Sequence, residues 1–319
     1  MFALPYVPSG KELIDKAFGR GRRKAKAARS KRGPKADRIL NSELVRIDAV
    51  GSIIEHELQS IIKMYPSYDQ LPAFYQKLLN LKVDKNRYKQ KLGQIQGALN
   101  VARKLQTKAV KENRRNLDTE ASTRYLGRVA ALIKKITPAL DELRDIRDIL
   151  KTFPTIKELP TLVVAGYPNV GKSTFTRNLT GSKIKIAWYP FTTTEILIGY
   201  TLIKHNRFQI IDTPGLLDRP MEDRNKTEQQ AILAIKELAD KVLFIIEPSS
   251  QLSEQLTLYN EIKEKLQLEL HAVVNRKETT PEEEIKKALE EFNTTKIINA
   301  LDQKECRMLF LELFKGVWT

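Results

Sequence analysis

Apolar residues recur at three- and four-residue steps through the first half of the chain and in short unbroken runs through the second. Between Ala36 and Met64, the positions Ile39, Leu40, Leu44, Ile47, Val50, Ile53, Ile54, Leu58, Ile61 and Ile62 share one helical stripe, which predicts an amphipathic helix. Tyr65-Pro66 ends it, because a residue before proline is pushed out of the helical region. A short segment follows from Leu71 to Leu81, carrying Phe74, Tyr75, Leu78 and Leu79. Asp84 to about Arg115 reads as a long helix with Tyr88, Leu92, Ile95, Leu99, Ala102 and Leu105 on its apolar face. Asp118 to Ile136 reads as another, and Pro138 is expected to open a last one, Ala139 to Leu150. Upstream, Met1 to Gly10 reads as an extended arm, and Ser9 is placed to cap a helix with Glu12 as its capping-box partner. Short polar joints between long helices predict an antiparallel bundle over residues 1–155, with its aromatic residues in the core.

Phe153-Pro154-Thr155-Ile156 reads as the boundary, and from Thr161 the period changes. Strands are expected near 161–165, 195–203, 207–211, 242–246, 270–274 and 296–298. Helices are expected near 172–180, 225–239, 253–267, 281–292 and 302–315, the fourth with Thr280 as N-cap, Pro281 at its first position and Glu283 reaching back. Alternating strands and helices over 156–319 predict an α/β domain with a mostly parallel sheet flanked by helices.

Charge divides the chain at the same place. Residues 1–155 hold 33 Lys and Arg against 16 Asp and Glu, a net of +17, whereas residues 156–319 hold 22 against 23. The excess is densest in the run from Gly19 to Lys35, which is expected to fray when free and to order on a phosphate backbone. A polyanion-binding half beside a near-neutral enzymatic half is the implication. No apolar run is long enough to span a bilayer, and the N-terminus lacks the apolar core of a signal peptide. Cys306 stands alone, which excludes an intramolecular disulfide and suits a reducing cytoplasm. His56, His205 and His271 are scattered and form no metal-ligand pattern.

Candidate chemistry begins at Gly166-Tyr167-Pro168-Asn169-Val170-Gly171-Lys172-Ser173, a G-x-x-x-x-G-K-S loop between a predicted strand and a predicted helix that continues through Thr174. In that context the backbone N–H groups turn inward to hold phosphate oxygens, Lys172 reaches the β- and γ-phosphates, and the Ser173 hydroxyl ligates Mg²⁺. Next comes Ile210-Ile211-Asp212-Thr213-Pro214-Gly215, an apolar strand ending in D-T-P-G, where Asp212 serves Mg²⁺ and the Gly215 N–H serves the γ-phosphate. Between them, Thr193, with Thr192 as the alternative, can complete the Mg²⁺ shell only while the γ-phosphate is present, as a first switch does. The polar stretch from Leu217 to Asn225 directly follows that sensor and reads as a second switch. These motifs in this order point to a GTPase. Leu216 stands where many GTPases carry a water-orienting Gln, so slow intrinsic hydrolysis is expected.

These residues resemble the nucleolar GTP-binding protein (Nog) family, in an archaeal-type short form, within the Obg-related GTPases. The resemblance is carried by the phosphate loop, by Tyr189-Pro190-Phe191-Thr192-Thr193, and by Asp212-Thr213-Pro214-Gly215-Leu216-Leu217-Asp218-Arg219-Pro220-Met221-Glu222-Asp223-Arg224-Asn225. It extends upstream to Pro8 through Phe18 and to Phe74-Tyr75, and so over nearly the whole chain. It implies a Ras-like P-loop GTPase domain that binds GTP or GDP with Mg²⁺ through Ser173, Thr193 and Asp212. It also implies a role in large ribosomal subunit assembly, with the large subunit or its precursor and rRNA as partners. A cytoplasmic monomer with no membrane and no DNA partner is the expectation. Relatives in the wider group hold K⁺ with a phosphate-loop Asn, which Asn169 matches; an Asn that only shapes the loop is the other reading.

At the guanine site the sequence departs from the usual N-K-x-D. The strand Leu270 to Val274 leads into Asn275-Arg276-Lys277-Glu278, where Glu278 keeps the carboxylate but sets it one methylene further out, so weaker guanine selectivity is expected. The last base-contacting loop is Asn299-Ala300-Leu301, with the Ala300 N–H facing guanine O6. Two other functions stay open at this stage: a constitutive RNA-binding scaffold with a structural nucleotide, and a ribosome-acting stress GTPase of the HflX kind.

Overall fold

The computed structural model describes residues 4–317 apart from Leu117, Ser182, Lys183, Met221, Asp223 and Ser250. Met221 and Asp223, part of the expected second switch, thus lie outside the described residues. The chain divides into two compact units, one of residues 1–71 and 82–151 and the other of residues 72–81 and 152–319.

The first unit is helical: α1 (Gly10–Arg29), α2 (Lys35–Met64), α4 (Lys85–Asn116) and α5 (Ala121–Lys151). Ser9 caps α1 as expected. Its hydroxyl accepts from the Glu12 N–H at 3.2 Å, and the Glu12 carboxylate accepts from the Ser9 N–H at 2.7 Å. The basic run does not fray at Gly19. The helix continues through it to Arg29, because Leu13, Ala17, Gly21 and Ala28 form a buried face while Arg20, Arg22, Arg23, Lys24 and Lys26 stay exposed. Nor does Pro138 open a new helix, since it lies inside α5. Its ring is on the solvent side, and Ile133, Ile136, Ala139 and Leu140 are buried on both sides of it. Tertiary packing holds the helix through the lost backbone bond.

The short helix α3 (Ala73–Asn80) belongs to the second unit, not with the bundle helices that precede and follow it in sequence. That unit is built on a seven-stranded sheet of order β2-β3-β4-β1-β5-β6-β7. The strands are β1 (Thr161–Ala165), β2 (Lys185–Trp188), β3 (Glu195–Ile203), β4 (Asn206–Asp212), β5 (Lys241–Ile246), β6 (Leu270–Asn275) and β7 (Ile297–Ile298). The β4-β1-β5-β6-β7 block is parallel, and β3 and β2 join it antiparallel as a hairpin edge. Strand β2 escapes a reading of the sequence because a four-residue edge strand with two exposed residues at its start has no alternating signature.

Around the sheet lie α6 (Lys172–Thr180), α7 (Lys226–Leu233), α8 (Leu252–Leu266), α9 (Glu282–Glu291) and α10 (Gln303–Leu313). Helices α6 and α10 share a core with one face of the sheet through Leu162, Val164, Phe175, Phe208, Ile210 and Phe310. There the Phe208 and Phe310 rings meet edge to face at 5.1 Å. Helix α9 starts one residue later than expected, with Pro281 itself as N-cap and no side-chain cap bond. The Thr280 hydroxyl instead accepts from the Lys277 N–H at 3.1 Å. Among the described residues no helix is long and apolar enough to cross a membrane.

Candidate functional site

In a parallel sheet the carboxyl ends of the strands open onto one side, and ligands gather there. Gly166 follows β1, Asp212 ends β4, Asn275 ends β6 and Asn299-Ala300 follows β7, so the motifs read from the sequence converge on that rim. Two glycines make the phosphate loop possible. Gly166 has φ +137° and a Cβ there would stand 2.4 Å from the Ile245 carbonyl; Gly171 has φ +104° and a Cβ would stand 2.5 Å from the Asn275 amide. Asn169 is exposed at φ +64°, and Val170 is buried beneath the loop.

A cleft of about 370 Å³ opens between Pro168–Thr174, Pro214 and Asp218. Lys172 enters it at the start of α6, its ammonium donating to the Gly166 and Tyr167 carbonyls at 2.8 and 2.7 Å. Burial lowers the Lys172 pKa, and the nearby Asp218 and Asp212 carboxylates oppose that shift. The Ser173 hydroxyl donates to Asp212 Oδ2 at 2.6 Å. Burial raises the Asp212 pKa, opposed by the Ser173 bond and the Lys172 charge. Asp212 Oδ1 is buried and accepts no hydrogen bond from the described residues. A buried carboxylate oxygen left over beside a serine hydroxyl is a hard-oxygen donor set that fits Mg²⁺. Thr213 is wholly buried and its hydroxyl donates to the Val164 carbonyl at 2.8 Å, which fixes the strand end that presents Asp212.

The next loop is gripped more tightly than the sequence suggests. The Gly215 N–H, read as the γ-phosphate contact, donates to Asp218 Oδ2 at 2.6 Å. Arg224 donates to the Gly215 and Leu216 carbonyls, both at 2.9 Å. Leu216 is fully buried. Sequence reasoning places Asp218 and Arg224 in a polar loop; what it misses is their burial, 9% and 5% exposed, which no local pattern encodes.

In the loop between β2 and β3, Thr193 is exposed, while the Thr192 hydroxyl donates to the Tyr189 carbonyl at 2.9 Å and pairs with the Thr194 hydroxyl. Thr194, which no sequence motif picks out, is the threonine whose methyl lies nearest Gly215, 3.0 Å from where a Cβ would sit. Tyr189 to Thr192 form a turn closed by a 3.3 Å backbone bond, with Pro190 second and Phe191 third. Phe191 has φ +63°. For a residue other than glycine that region costs about 1–2 kcal/mol.

At the guanine end, the Asn275 side chain donates to the Val170 carbonyl at 2.8 Å and accepts from the Ala300 N–H at 2.9 Å. It thus ties the phosphate loop to the last loop, and the Ala300 N–H is engaged by it. Arg276 pairs with Glu305 at 2.8 Å and Lys277 with Glu247 at 3.0 Å, while Glu278 is exposed. Asn299 accepts from the N–H of the exposed Leu301 at 3.0 Å. Two residues outside the motifs hold the Ala300 carbonyl: Asn178 at 2.6 Å and the buried Cys306 thiol at 3.5 Å.

Comparison with known proteins agrees with this layout. Residues 2–157 match the NOG1 N-terminal helical domain, and residues 161–302 match a 50S ribosome-binding GTPase family. The chain is 35% identical over 291 residues to an uncharacterized protein of Methanocaldococcus jannaschii, with 89% of this chain and 82% of that one covered. It is 32% identical to nucleolar GTP-binding protein 1 of Arabidopsis thaliana, covering 95% of this chain and 47% of that one. With the Drosophila melanogaster protein of the same name the identity is 35%, over 81% of this chain and 41% of the relative. The chain therefore spans less than half the length of these two named relatives. A helical unit of the NOG1 type followed by a P-loop GTPase domain, with this identity over most of the chain, places the protein in the nucleolar GTP-binding protein family.

Proposed function

We propose that the protein is a GTP-binding and GTP-hydrolysing switch that acts in assembly of the large ribosomal subunit by binding RNA or ribonucleoprotein. The observation that carries this reading is that Lys172 and Ser173 line one cleft, with Ser173 bonded to the buried Asp212, the set that triphosphate chemistry needs. Lys172 and the inward N–H groups of the loop hold the phosphates. Ser173, Asp212 and a threonine of the 192–194 loop are the groups that would hold Mg²⁺, which when bound neutralises charge developing on the transferred phosphoryl group. A threonine of the 192–194 loop and the Gly215 N–H can exchange their present protein partners for the γ-phosphate and its Mg²⁺ only in the triphosphate state, and that difference is what makes a switch. With leucine at position 216, this chain offers no side-chain amide there to orient water, so its unaided turnover is slow. The exposed cations of α1 supply the polyanion contact, and the names of the relatives supply the ribosomal direction.

The test is co-sedimentation of the full chain with large ribosomal subunits or their precursors at physiological salt, comparing a non-hydrolysable GTP analogue with GDP. Stronger pelleting with the analogue is expected. Equal pelleting in both states favours the constitutive scaffold, a reading to which the altered Asn275–Glu278 motif lends some weight. No pelleting in either state rejects the ribosomal assignment.

A further inference from the structure

The loop that would act as the first switch is not supported by the GTPase domain alone. Phe191 packs edge to face on Phe153, with ring centroids 6.2 Å apart and planes at 86°. Phe153 in turn stacks on Tyr75 at 6.1 Å and 7°. Tyr75 lies on α3 and clamps the segment behind Phe153: its hydroxyl donates to the Pro154 carbonyl and accepts from the Ile156 N–H, both at 2.9 Å. Beside it Phe74, 1% exposed, meets Tyr189 at 6.3 Å, and the Tyr189 hydroxyl donates to the Ala231 carbonyl of α7 at 2.6 Å. All of these residues belong to the second unit, yet Phe74, Tyr75 and Phe153 fall in the stretch that matches the helical-domain family, before the GTPase match begins at residue 161.

Phe191 makes the arrangement informative. It occupies the third position of a proline-led turn at φ +63°, where glycine is the unstrained choice. A bulky residue persists in such a place when its surroundings hold it there. Those surroundings include an aromatic ring, Phe153, supplied from outside the stretch that matches the GTPase family.

We infer that Phe153, backed by Tyr75 on α3, is a positioning residue for the 189–194 loop, and that this segment of the helical-domain stretch is a working part of the GTPase switch. The inference rests on the guanine-nucleotide reading proposed above. Its physical content is specific to the triphosphate. GDP is held mainly by the phosphate loop, whereas the 192–194 threonines contribute only when a γ-phosphate is present. A loop already held in place loses less freedom on engaging that group. Loosening it therefore weakens triphosphate binding and turnover while sparing diphosphate binding. Helix α3 is joined through the chain at both ends to helices of the first unit, so the segment that holds the loop is continuous in sequence with the bundle.

The test uses the full chain and fluorescent GDP and non-hydrolysable GTP analogues, with thermal melts and single-turnover hydrolysis on the same samples. Phe153→Ala is expected to weaken the triphosphate analogue by about tenfold, the scale of one aromatic contact, and GDP by less than about twofold. Phe153→Leu, which keeps most of the apolar volume, should recover most of the loss. Phe191→Gly is the sharper variant, since glycine takes the positive φ without strain while the whole benzyl side chain is removed. It should lower analogue affinity and single-turnover rate as Phe153→Ala does, without lowering the melting temperature. If Phe153→Ala does not fold, Phe191→Gly decides the question alone. Analogue and GDP affinities falling together, or an analogue affinity unchanged in Phe191→Gly, overturns the inference. A wild-type chain that binds neither nucleotide overturns the guanine-nucleotide reading itself, and the inference with it.

Discussion

Asp218 accepts the Gly215 N–H, the group proposed to meet a γ-phosphate, at 2.6 Å at the edge of the cleft that Lys172 also lines. For that N–H to serve a phosphate, the carboxylate has to leave, and a charge-assisted bond is the stronger kind to break. Asp218→Asn keeps an acceptor but removes the charge, so the preference for a GTP analogue over GDP should rise by about fivefold, from the roughly 1 kcal/mol that separates charged from neutral hydrogen bonds. Competition titration of the two nucleotides on the full chain reads this directly; an analogue preference that falls would place Asp218 among the groups that hold the triphosphate. The residue scale is also where the sequence is most and least legible. Lys172 and Ser173 line one cleft and Ser173 bonds Asp212, a proximity legible in advance because the phosphate-loop pattern encodes a backbone path and Asp212 ends the strand beside it. Asp218, Thr194 and Cys306 are not legible as partners of Gly215 and Ala300. Their roles come from loop closure, which has no period and no fixed spacing.

Elements are legible wherever a local rule and the tertiary packing agree. The Ser9-Glu12 capping box forms as its spacing predicts, with both reciprocal bonds in place. Ser9→Ala should therefore destabilise the helical unit by about 1 kcal/mol, the usual worth of an N-cap hydroxyl. Chemical denaturation followed by helical circular dichroism checks it, and Ser9→Asp should restore most of the loss. Disagreement comes where packing outweighs the local rule. Pro138 is a helix-starting residue by sequence, but with its ring in solvent and buried neighbours on either side it is carried within α5. The Thr280-Pro281 pair shows the reverse limit, in which a cap rule finds the right turn and misses its register by one residue. Helix α3 has the apolar period of a bundle helix, and that period says only that a face is buried, not against which partner.

At the scale of the whole molecule the sequence divides charge where it divides chemistry. A net of +17 lies in residues 1–155, and residues 156–319 are near neutral with 22 basic against 23 acidic side chains. Repulsion within so basic a stretch is a standing cost to the compact state unless an anionic partner offsets it. Part of the basic run is ordered as a helix with one buried face. Arg22, Arg23, Lys24 and Lys26 then project from a short, regular stretch of α1 rather than from a loose tail. A rigid array of cations on a polyanion releases counterions in proportion to the phosphates it meets. Replacing these four with Gln, a residue of similar helix propensity, leaves the buried face of α1 intact. Measured against large-subunit rRNA over a salt series, the slope of log affinity with log salt should become shallower by about 3, from roughly 0.7–0.9 for each of the four phosphates that the variant no longer neutralises. Affinity for GDP should stay the same in the variant, because none of the four lines the phosphate-loop cleft. An unchanged slope would move the proposed RNA contact off α1, to the remaining basic residues of α4 and α5.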